Sequence, residues 1–182
     1  MNAMPNASVL MDGESIRRAL TRISHEIHEK NGGAMADVIL LGIPARGDVL
    51  ARRLMECLER DHGIRVPLGV LDITFHRDDV GGKAALPKAM TIPGSVNGKV
   101  VVLVDDVLFT GRSVRAALDA LVDYGRPRAV QLAVLVDRGH RELPIKADYV
   151  GKNVPTTAGA NVKVQVVETD GQDQVLLEGP AS

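Results

Sequence analysis

The strongest constraint on the fold is an uninterrupted apolar run over residues 100–104, Val-Val-Val-Leu-Val, which is the most strongly β segment of the chain. Two further apolar runs, over 38–43 and 129–136, precede and follow it. Continuous apolar runs are typical of strands that are buried on both faces of a parallel sheet. Because segments with helical periodicity separate the runs, we predict an α/β fold in which right-handed crossovers connect parallel strands.

The remaining segments supply helices and a terminal hairpin. A first helix is predicted to begin at the cap residue Asp12 and to end near Lys30, before a pair of glycines. Valines alternate with polar residues from 162 to 166, and Asp170-Gly171 then predicts the turn of a C-terminal β-hairpin. The other predictions are helices over 47–60 and 113–124 and a strand over 66–75.

The bulk composition excludes several classes of protein. A chain of 182 residues with 45% apolar and 25% charged residues suits one globular domain. The net charge of −1 limits nucleic-acid contact to a local basic patch, and two Phe and two Tyr are too few for an RNA-stacking platform. The single cysteine, Cys57, cannot form an internal disulfide, and no apolar run reaches transmembrane length. We therefore expect a cytoplasmic protein.

In one segment, the central strand is predicted to end in two carboxylates, and a short turn then brings residue types that suit a phosphate to a helix N-terminus. Helix N-terminal N–H groups bind anions, the hydroxyls of Thr110 and Ser113 add donors, and Gly111 allows close backbone approach. The adjacent Asp105 and Asp106 suit ribose hydroxyls, a bound Mg²⁺ or a ring that gains positive charge. The alternative is an ordinary strand–turn–helix whose aspartates are solvated. That alternative would be favoured for an isolated Asp-Asp pair, but not for the whole segment. The segment consists of Val101, Val102, Leu103, Val104, Asp105, Asp106, Val107, Leu108, Phe109, Thr110, Gly111, Arg112 and Ser113.

This segment is similar to the signature with which type I phosphoribosyltransferases bind 5-phosphoribosyl-1-pyrophosphate (PRPP). The resemblance implies that Asp105 and Asp106 hold the ribose hydroxyls, that Mg²⁺ lies near them directly or through PRPP, and that residues 110–113 bind the 5′-phosphate. Residues 42–47 resemble the family's pyrophosphate loop, in which Arg46 would hold the leaving group between Ala45 and Gly47. On its own, a turn with a surface arginine is common.

The stretch from about 73 to 87 resembles the flexible loop that closes over the reacting centre in this family. A plain surface loop is the alternative. The loop positions singled out are His76, Arg77, Asp78 and Asp79.

Longer stretches of the chain resemble one particular family of type I phosphoribosyltransferases. Residues 16–23, 71–79 and 132–156 together resemble the bifunctional pyrimidine operon regulators, the PyrR family. The similarity covers nearly the whole chain and thins over 81–98 and after 158. This family pairs uracil phosphoribosyltransferase activity with nucleotide-dependent binding to pyrimidine-gene mRNA.

The resemblance implies a type I phosphoribosyltransferase fold in a single domain over 1–182, with a core over about 34–136 and a small hood from about 1–12 and 137–182. The reaction would convert uracil and PRPP to UMP and diphosphate. No residue stands out as a general base for uracil N1, so positioning and electrostatic stabilisation would carry most of the rate. The implied uracil contacts are Val136, Asp137, Arg138 and Val150.

The resemblance also implies an RNA-binding surface for the leader of pyrimidine-operon mRNA, with UMP or UTP as the effector. From charge alone these side chains would be solvated, as most exposed lysines and arginines are. The family often has Tyr at the position of His76. It often has Arg at the position of Lys146, and lysine keeps the charge but lacks the paired N–H donors of arginine. The matching positions are Thr21, Arg22, His25, Lys30, His140, Arg141, Lys146 and Lys152.

Two other hypotheses stay open at this point. One is an RNA-binding sensor of UMP with little turnover, and the other is a purine salvage phosphoribosyltransferase without an RNA role. Regulation could act through transcription attenuation or translational repression. The family suggests a homodimer or a higher even oligomer, and neither a DNA nor a membrane partner is expected.

Overall fold

Strands and helices alternate through most of the chain, as the apolar runs predict. The computed structural model describes residues 6–76 and 91–179. The strands are β1 (Ala7–Asp12), β2 (Val38–Gly42), β3 (Leu68–Val70), β4 (Val100–Leu108), β5 (Ala129–Asp137), β6 (Tyr149–Asn153), β7 (Asn161–Gln165) and β8 (Gln174–Glu178). The helices are α1 (Gly13–Asn31), α2 (Gly47–His62), α3 (Arg112–Val122) and the single turn α4 (Val167–Asp170), and short 3-10 turns cover Gly32–Asp37 and Thr74–His76.

Five strands form one parallel sheet in the order β3-β2-β4-β5-β6. The central strand β4 is buried on both faces. Val102 and Val104 pack with residues of α1 and α2, whereas Val101 and Leu103 pack with residues of α3. This arrangement confirms the strand predicted from the continuous apolar run, because successive side chains of a strand point to opposite faces.

Helix α1 begins and ends where the sequence predicts. The Asp12 carboxylate accepts a hydrogen bond from the Ser15 N–H at 2.8 Å, and Gly32, with φ of 46°, follows the last helical residue. The helix therefore packs its apolar face on the sheet and leaves its charged face exposed. The buried face consists of Ile16, Leu20, Ile23 and Ile27.

A second, antiparallel sheet in the order β1-β8-β7 brings the two ends of the described chain together. Strands β7 and β8 confirm the predicted C-terminal hairpin, with α4 and Gly171 between them. We call this sheet and α4 the hood. Strand β6 pairs with β5 in the parallel sheet although its residue numbers fall in the range predicted for the hood. The boundaries of core and hood remain a prediction.

Two strand boundaries differ from prediction. The strand predicted over 66–75 is limited to β3, because the Asp72 carboxylate accepts the Thr74 N–H at 2.9 Å and turns the chain into a 3-10 segment. The prediction that the central strand ends at the two aspartates is also wrong. Strand β4 continues to Leu108, since its pairing with β5 extends that far. Within 6–76 and 91–179, no helix is long and apolar enough to cross a membrane.

Candidate active site

The two consecutive aspartates lie near the carboxyl end of the central strand. Asp105 is buried and Asp106 is partly exposed. Each carboxylate is fixed by the next residue, because the Asp106 N–H donates to Asp105 Oδ1 at 2.9 Å and the Val107 N–H donates to Asp106 Oδ1 at 2.8 Å. Burial raises the pKa of the Asp106 carboxyl, and the Val107 hydrogen bond and the charge of Arg46 oppose that rise. Both carboxylates are therefore oriented by the backbone, and Asp105 lines the cavity beside the turn that follows β4.

The turn from β4 into α3, residues 110–113, is shaped for an anion; we call it the phosphate turn. Gly111 caps α3 with φ of 93°, in the left-handed region that favours glycine. The turn lines a cavity of about 200 Å³ together with Asp105 and Glu142. The N–H groups at the start of α3 and the helix dipole favour a phosphate in this position, and the first of these groups, the Arg112 N–H, also donates to Thr110 Oγ1 at 3.3 Å.

A distant segment supports this turn, which the sequence did not indicate. The N–H of Glu142 donates to the Thr110 carbonyl at 2.9 Å, and Arg112 Nε donates to the Glu142 carboxylate at 2.7 Å. Glu142 thereby offsets the Arg112 charge. The backbone N–H groups of the turn are left as its main anion-binding groups.

Two glycines allow close backbone contacts of the pyrophosphate loop, residues 42–47. Gly47 lets the loop lie against β4, and Gly42 lets it fold back on the start of α2. A Cβ on Gly47 would overlap the Val104 carbonyl oxygen and lie 3.2 Å from the Asp105 Cα, and a Cβ on Gly42 would overlap the backbone of Asp48. The peptide between Pro44 and Ala45 is cis. The hydrogen bonds that Arg46 donates to Asp170 are the main cause that raises the Arg46 pKa, and the charge of Asp106, which this close approach brings within electrostatic reach, raises it less strongly.

The Arg46 guanidinium is held by the hood. Its Nε and Nη2 donate to the two carboxylate oxygens of Asp170 at 3.1 and 2.8 Å. The sequence indicates Asp170 only as a turn residue. Its pairing with a residue 124 positions away could not be read from local pattern.

Comparison with known proteins identifies the family. A family model described as phosphoribosyl transferase domain matches residues 7–170. The protein named Bifunctional protein PyrR from Brevibacillus brevis is 58% identical over 176 residues, which cover 96% of this chain and 98% of the relative. The protein of the same name from Streptomyces coelicolor is 60% identical over 175 residues, which cover 94% and 89%. The chain belongs to the PyrR family.

Solved structures show the same fold at much lower identity. A hypoxanthine phosphoribosyltransferase from Trypanosoma cruzi, in complex with the product IMP, superposes with a TM-score of 0.73 at 18% identity, covering 99% of this chain and 94% of that one. A hypoxanthine phosphoribosyltransferase from Staphylococcus aureus gives 0.70 at 18% identity, covering 100% and 98%. These neighbours confirm the type I phosphoribosyltransferase fold. At this identity they do not indicate which nucleobase this chain uses as a substrate.

The predicted flexible loop of this PyrR family member is described only at its start. His76 ends a 3-10 turn, where its N–H donates to the Ile73 carbonyl at 2.9 Å. Arg77, Asp78 and Asp79 lie outside the described residues. The role of this loop stays a prediction.

The predicted uracil contacts lie at the carboxyl ends of β5 and β6. Val136 is fully buried in the core, so only its backbone can reach a ligand. The buried Arg138 guanidinium lies 4.0 Å from the centre of the Phe109 ring and donates to the Ala160 carbonyl at 2.7 Å. Burial lowers the pKa of Arg138. Asp137 accepts from Arg141, and Val150 pairs with Val134. Direct contact with uracil therefore stays a prediction for all four.

The predicted RNA-binding residues fall into two groups. In the first, Arg22 of α1 donates to the Val150 and Gly151 carbonyls at 3.0 and 2.7 Å and lines a cavity of about 380 Å³ with Arg18 and Lys152. Further along the same helix, Thr21 contacts Arg60, His25 contacts His62, and Lys30 pairs with Asp148 at 2.7 Å. The α2 residues Arg60 and His62 are neighbours of this surface that the sequence analysis missed.

The second group lies between β5 and β6, beside the phosphate turn. Arg141 has donors engaged with the Ile145 and Phe109 carbonyls at 2.8 and 2.9 Å and with Asp137 at 2.6 Å. These contacts use three of the five N–H donors of its guanidinium, so an RNA contact would use the other donors or replace one of these partners. The His140 and Phe109 ring centres are 6.2 Å apart. Lys146 is exposed and has no partner in the part of the chain that the structure describes.

Proposed function

We propose that this chain transfers the phosphoribosyl group of PRPP to uracil, forming UMP and diphosphate, and that it regulates pyrimidine biosynthesis genes by UMP-dependent binding to their mRNA. The observation that carries the proposal is that Asp105, which precedes Asp106 in β4, lines one cavity with the phosphate turn in a member of the PyrR family. The phosphate turn would bind the 5′-phosphate through the backbone N–H groups at the start of α3. The two carboxylates would accept hydrogen bonds from the ribose hydroxyls.

The residues present fit a Mg²⁺ ion that is shared with PRPP. No group of three or more potential ligands is found in residues 6–76 and 91–179, but Asp105 lines the cavity beside the phosphate turn and the partly exposed Asp106 follows it in β4. Mg²⁺ commonly binds through one or two carboxylates and the phosphates of a substrate. Bound in this way, the ion would offset charge on the diphosphate leaving group.

The described residues support catalysis by positioning rather than by a strong general base. The ribose would gain positive charge as its bond to diphosphate breaks, and the Asp106 carboxylate would stabilise that charge. Arg46 would bind the departing diphosphate through paired N–H donors. Because both groups are fixed before substrate arrives, little reorganisation is needed in the transition state.

A substrate comparison tests the reaction. With PRPP and Mg²⁺, we expect uracil to release diphosphate with a kcat/KM at least about a hundredfold above that for hypoxanthine, because a site built to hydrogen-bond one base leaves polar groups unpaired with another. A preference for hypoxanthine would identify a purine salvage enzyme. Binding of UMP without release of diphosphate would identify a sensor with little turnover.

RNA binding is tested by the salt dependence of leader RNA affinity, measured with and without UMP. We expect UMP to strengthen binding. We also expect Lys146→Gln to reduce the slope of log affinity against log salt concentration by about one, because one phosphate contact is lost. Lys163→Gln, which removes an exposed lysine of β7, is the matched control and should leave the slope unchanged. An equal loss in both variants would contradict a local RNA surface.

Three further features belong to this proposal. The pyrimidine-operon leader is the RNA partner, the protein works in the cytoplasm, and it assembles as a homodimer or a higher even oligomer. Symmetric assembly would double any basic surface that one subunit presents.

A further inference from the structure

Two arginines, Arg46 just before α2 and Arg53 in its second turn, connect that helix to the hood. Arg53 pairs with Glu168 and Asp173, with Nε–Oε1 at 3.0 Å and Nη2–Oδ1 at 2.8 Å. Arg46 pairs with Asp170, which lies between those two acids in the sequence. The hood turn thus carries three carboxylates that contact α2 and the loop before it. Only the Asp170 contact involves a residue of the pyrophosphate loop.

The Asp170 carboxylate is itself oriented from a second side. Its Oδ2 accepts the Val166 N–H at 2.9 Å, so the acid is fixed to the backbone before α4 as well as to Arg46. The hydrogen bond from Arg46 is the largest cause that lowers the pKa of Asp170, and the hydrogen bond from the Val166 N–H is the second largest. At neutral pH the carboxylate is therefore ionised, and the pair is a charge-assisted, two-bond contact.

The contact leaves part of the guanidinium available. Asp170 takes the Nε–Nη2 edge, and within residues 6–76 and 91–179 Nη1 has no hydrogen-bond partner. The Arg46 backbone is constrained too, since φ is 78° at a residue that is not glycine. Such a conformation is unfavourable for a residue with a side chain and persists where surrounding contacts determine it. Both backbone and side chain of Arg46 are thus held in one arrangement.

We propose that Asp170 is the positioning residue for Arg46: it clamps one edge of the guanidinium so that the other edge is ready for the diphosphate of PRPP. The inference rests on the proposed function, because it assigns the diphosphate group to Arg46. Asp170 acts through Arg46 and does not contact the substrate. Its effect appears in the binding of diphosphate and not in that of uracil, which would approach C1 of the ribose from the face opposite to the diphosphate.

The test is the binding of diphosphate with Mg²⁺, measured by calorimetry, together with KM values for PRPP and uracil. For Asp170→Asn we expect about a tenfold weaker diphosphate affinity and a similar rise in KM for PRPP, because an oriented charge-assisted contact is lost. KM for uracil should stay unchanged. Asp170→Glu keeps the charge and should recover most of the diphosphate affinity.

Asp173→Asn is the matched control, because it weakens the same hood turn through Arg53, which lies outside the pyrophosphate loop. It should lower the Tm about as much as Asp170→Asn does while leaving diphosphate affinity unchanged. An equal loss of diphosphate affinity in both variants would reduce Asp170 to a docking contact and overturn the inference. Tighter diphosphate binding by Asp170→Asn would also overturn it, because Asp170 would then compete with the ligand for Arg46.

The same measurements distinguish a failure of the proposed uracil reaction from a failure of the role proposed for Asp170. If the unaltered protein binds diphosphate but does not transfer phosphoribose to uracil, the reaction is wrong and the Asp170 inference is still decided by the diphosphate affinities. If the unaltered protein does not bind diphosphate with Mg²⁺, the inference is overturned.

Discussion

Asp106→Asn is expected to lower kcat/KM for uracil phosphoribosyl transfer by about a hundredfold or more, because a fixed carboxylate facing developing positive charge becomes a neutral amide. The folded structure should tolerate the change, since asparagine has the same shape and its carbonyl oxygen can accept the Val107 N–H. The measurement is the uracil-dependent release of diphosphate with saturating Mg²⁺. Near-normal transfer would contradict the role given to this carboxylate.

The same variant should be more stable than the unaltered protein at neutral pH. Burial raises the pKa of Asp106 above 3.8, so the folded state binds its proton more tightly than the unfolded state does. Above the raised pKa, the folded protein carries the full cost of an ionised, half-buried carboxylate, and this cost vanishes as the pH falls below 3.8. The gain in Tm from asparagine should therefore be present at pH 7 and disappear in acid, measured in the presence of a chelator.

The matched control is Asp119→Asn, which changes an exposed carboxylate on α3. It should leave both phosphoribosyl transfer and the Tm at pH 7 close to those of the unaltered protein. Loss of activity with reduced stability in Asp106→Asn would indicate that this residue is mainly structural. Loss of activity with increased stability would instead indicate a group retained for function at a cost to the fold.

Gly47→Ala is expected to weaken diphosphate binding by about a hundredfold, because displacement of a binding group by about 1 Å can cost that much. The added Cβ would overlap the Val104 carbonyl oxygen and lie 3.2 Å from the Asp105 Cα, and backbone atoms in a central strand cannot move aside. The pyrophosphate loop must therefore move away from β4 and take Arg46 with it. Calorimetry with diphosphate and Mg²⁺ measures the effect directly.

The same substitution should reduce the free energy of unfolding by about 1–3 kcal/mol, as overpacking commonly does. Gly33→Ala is the control, because a Cβ there meets no heavy atom within 4 Å. Denaturant unfolding of both variants separates the effect on the fold from the effect on the ligand. Diphosphate affinity equal to that of the unaltered protein in Gly47→Ala would show that the loop does not need its close approach to β4.

The sequence predicted those parts of the site that are continuous in the chain. The phosphate turn follows a buried strand and begins a helix, so Thr110 and Gly111 could be assigned to an anion site from local chemistry alone. The same local pattern placed the end of β4 too early. Carboxylates are rare in buried strands, but pairing with β5 continues through Asp105 and Asp106 to Leu108.

The contacts that orient the site were not predictable in this way. Arg46 and Asp170 are 124 positions apart, and Arg112 and Glu142 are 30 positions apart. Neither pair leaves a periodic signal, because each depends on how the hood and the β5–β6 connection pack on the sheet. Strand β6 was missed for a related reason, since its second half is polar and lacks the alternation of a half-buried strand.

Because the β5–β6 connection supports the phosphate turn, the proposed phosphate site and the proposed RNA site share one stretch of backbone. The N–H groups of Glu142 and Leu143 both donate to the Thr110 carbonyl, at 2.9 and 3.2 Å, and Arg141 donates to the neighbouring Phe109 carbonyl. A nucleotide that shifts this turn must also shift the segment that carries His140 and Lys146. Thermodynamic linkage is reciprocal, so whatever factor UMP contributes to RNA affinity, RNA must contribute to UMP affinity. The fraction of protein that binds UMP would then depend on the concentration of leader RNA, and the fraction that binds RNA would depend on the concentration of UMP.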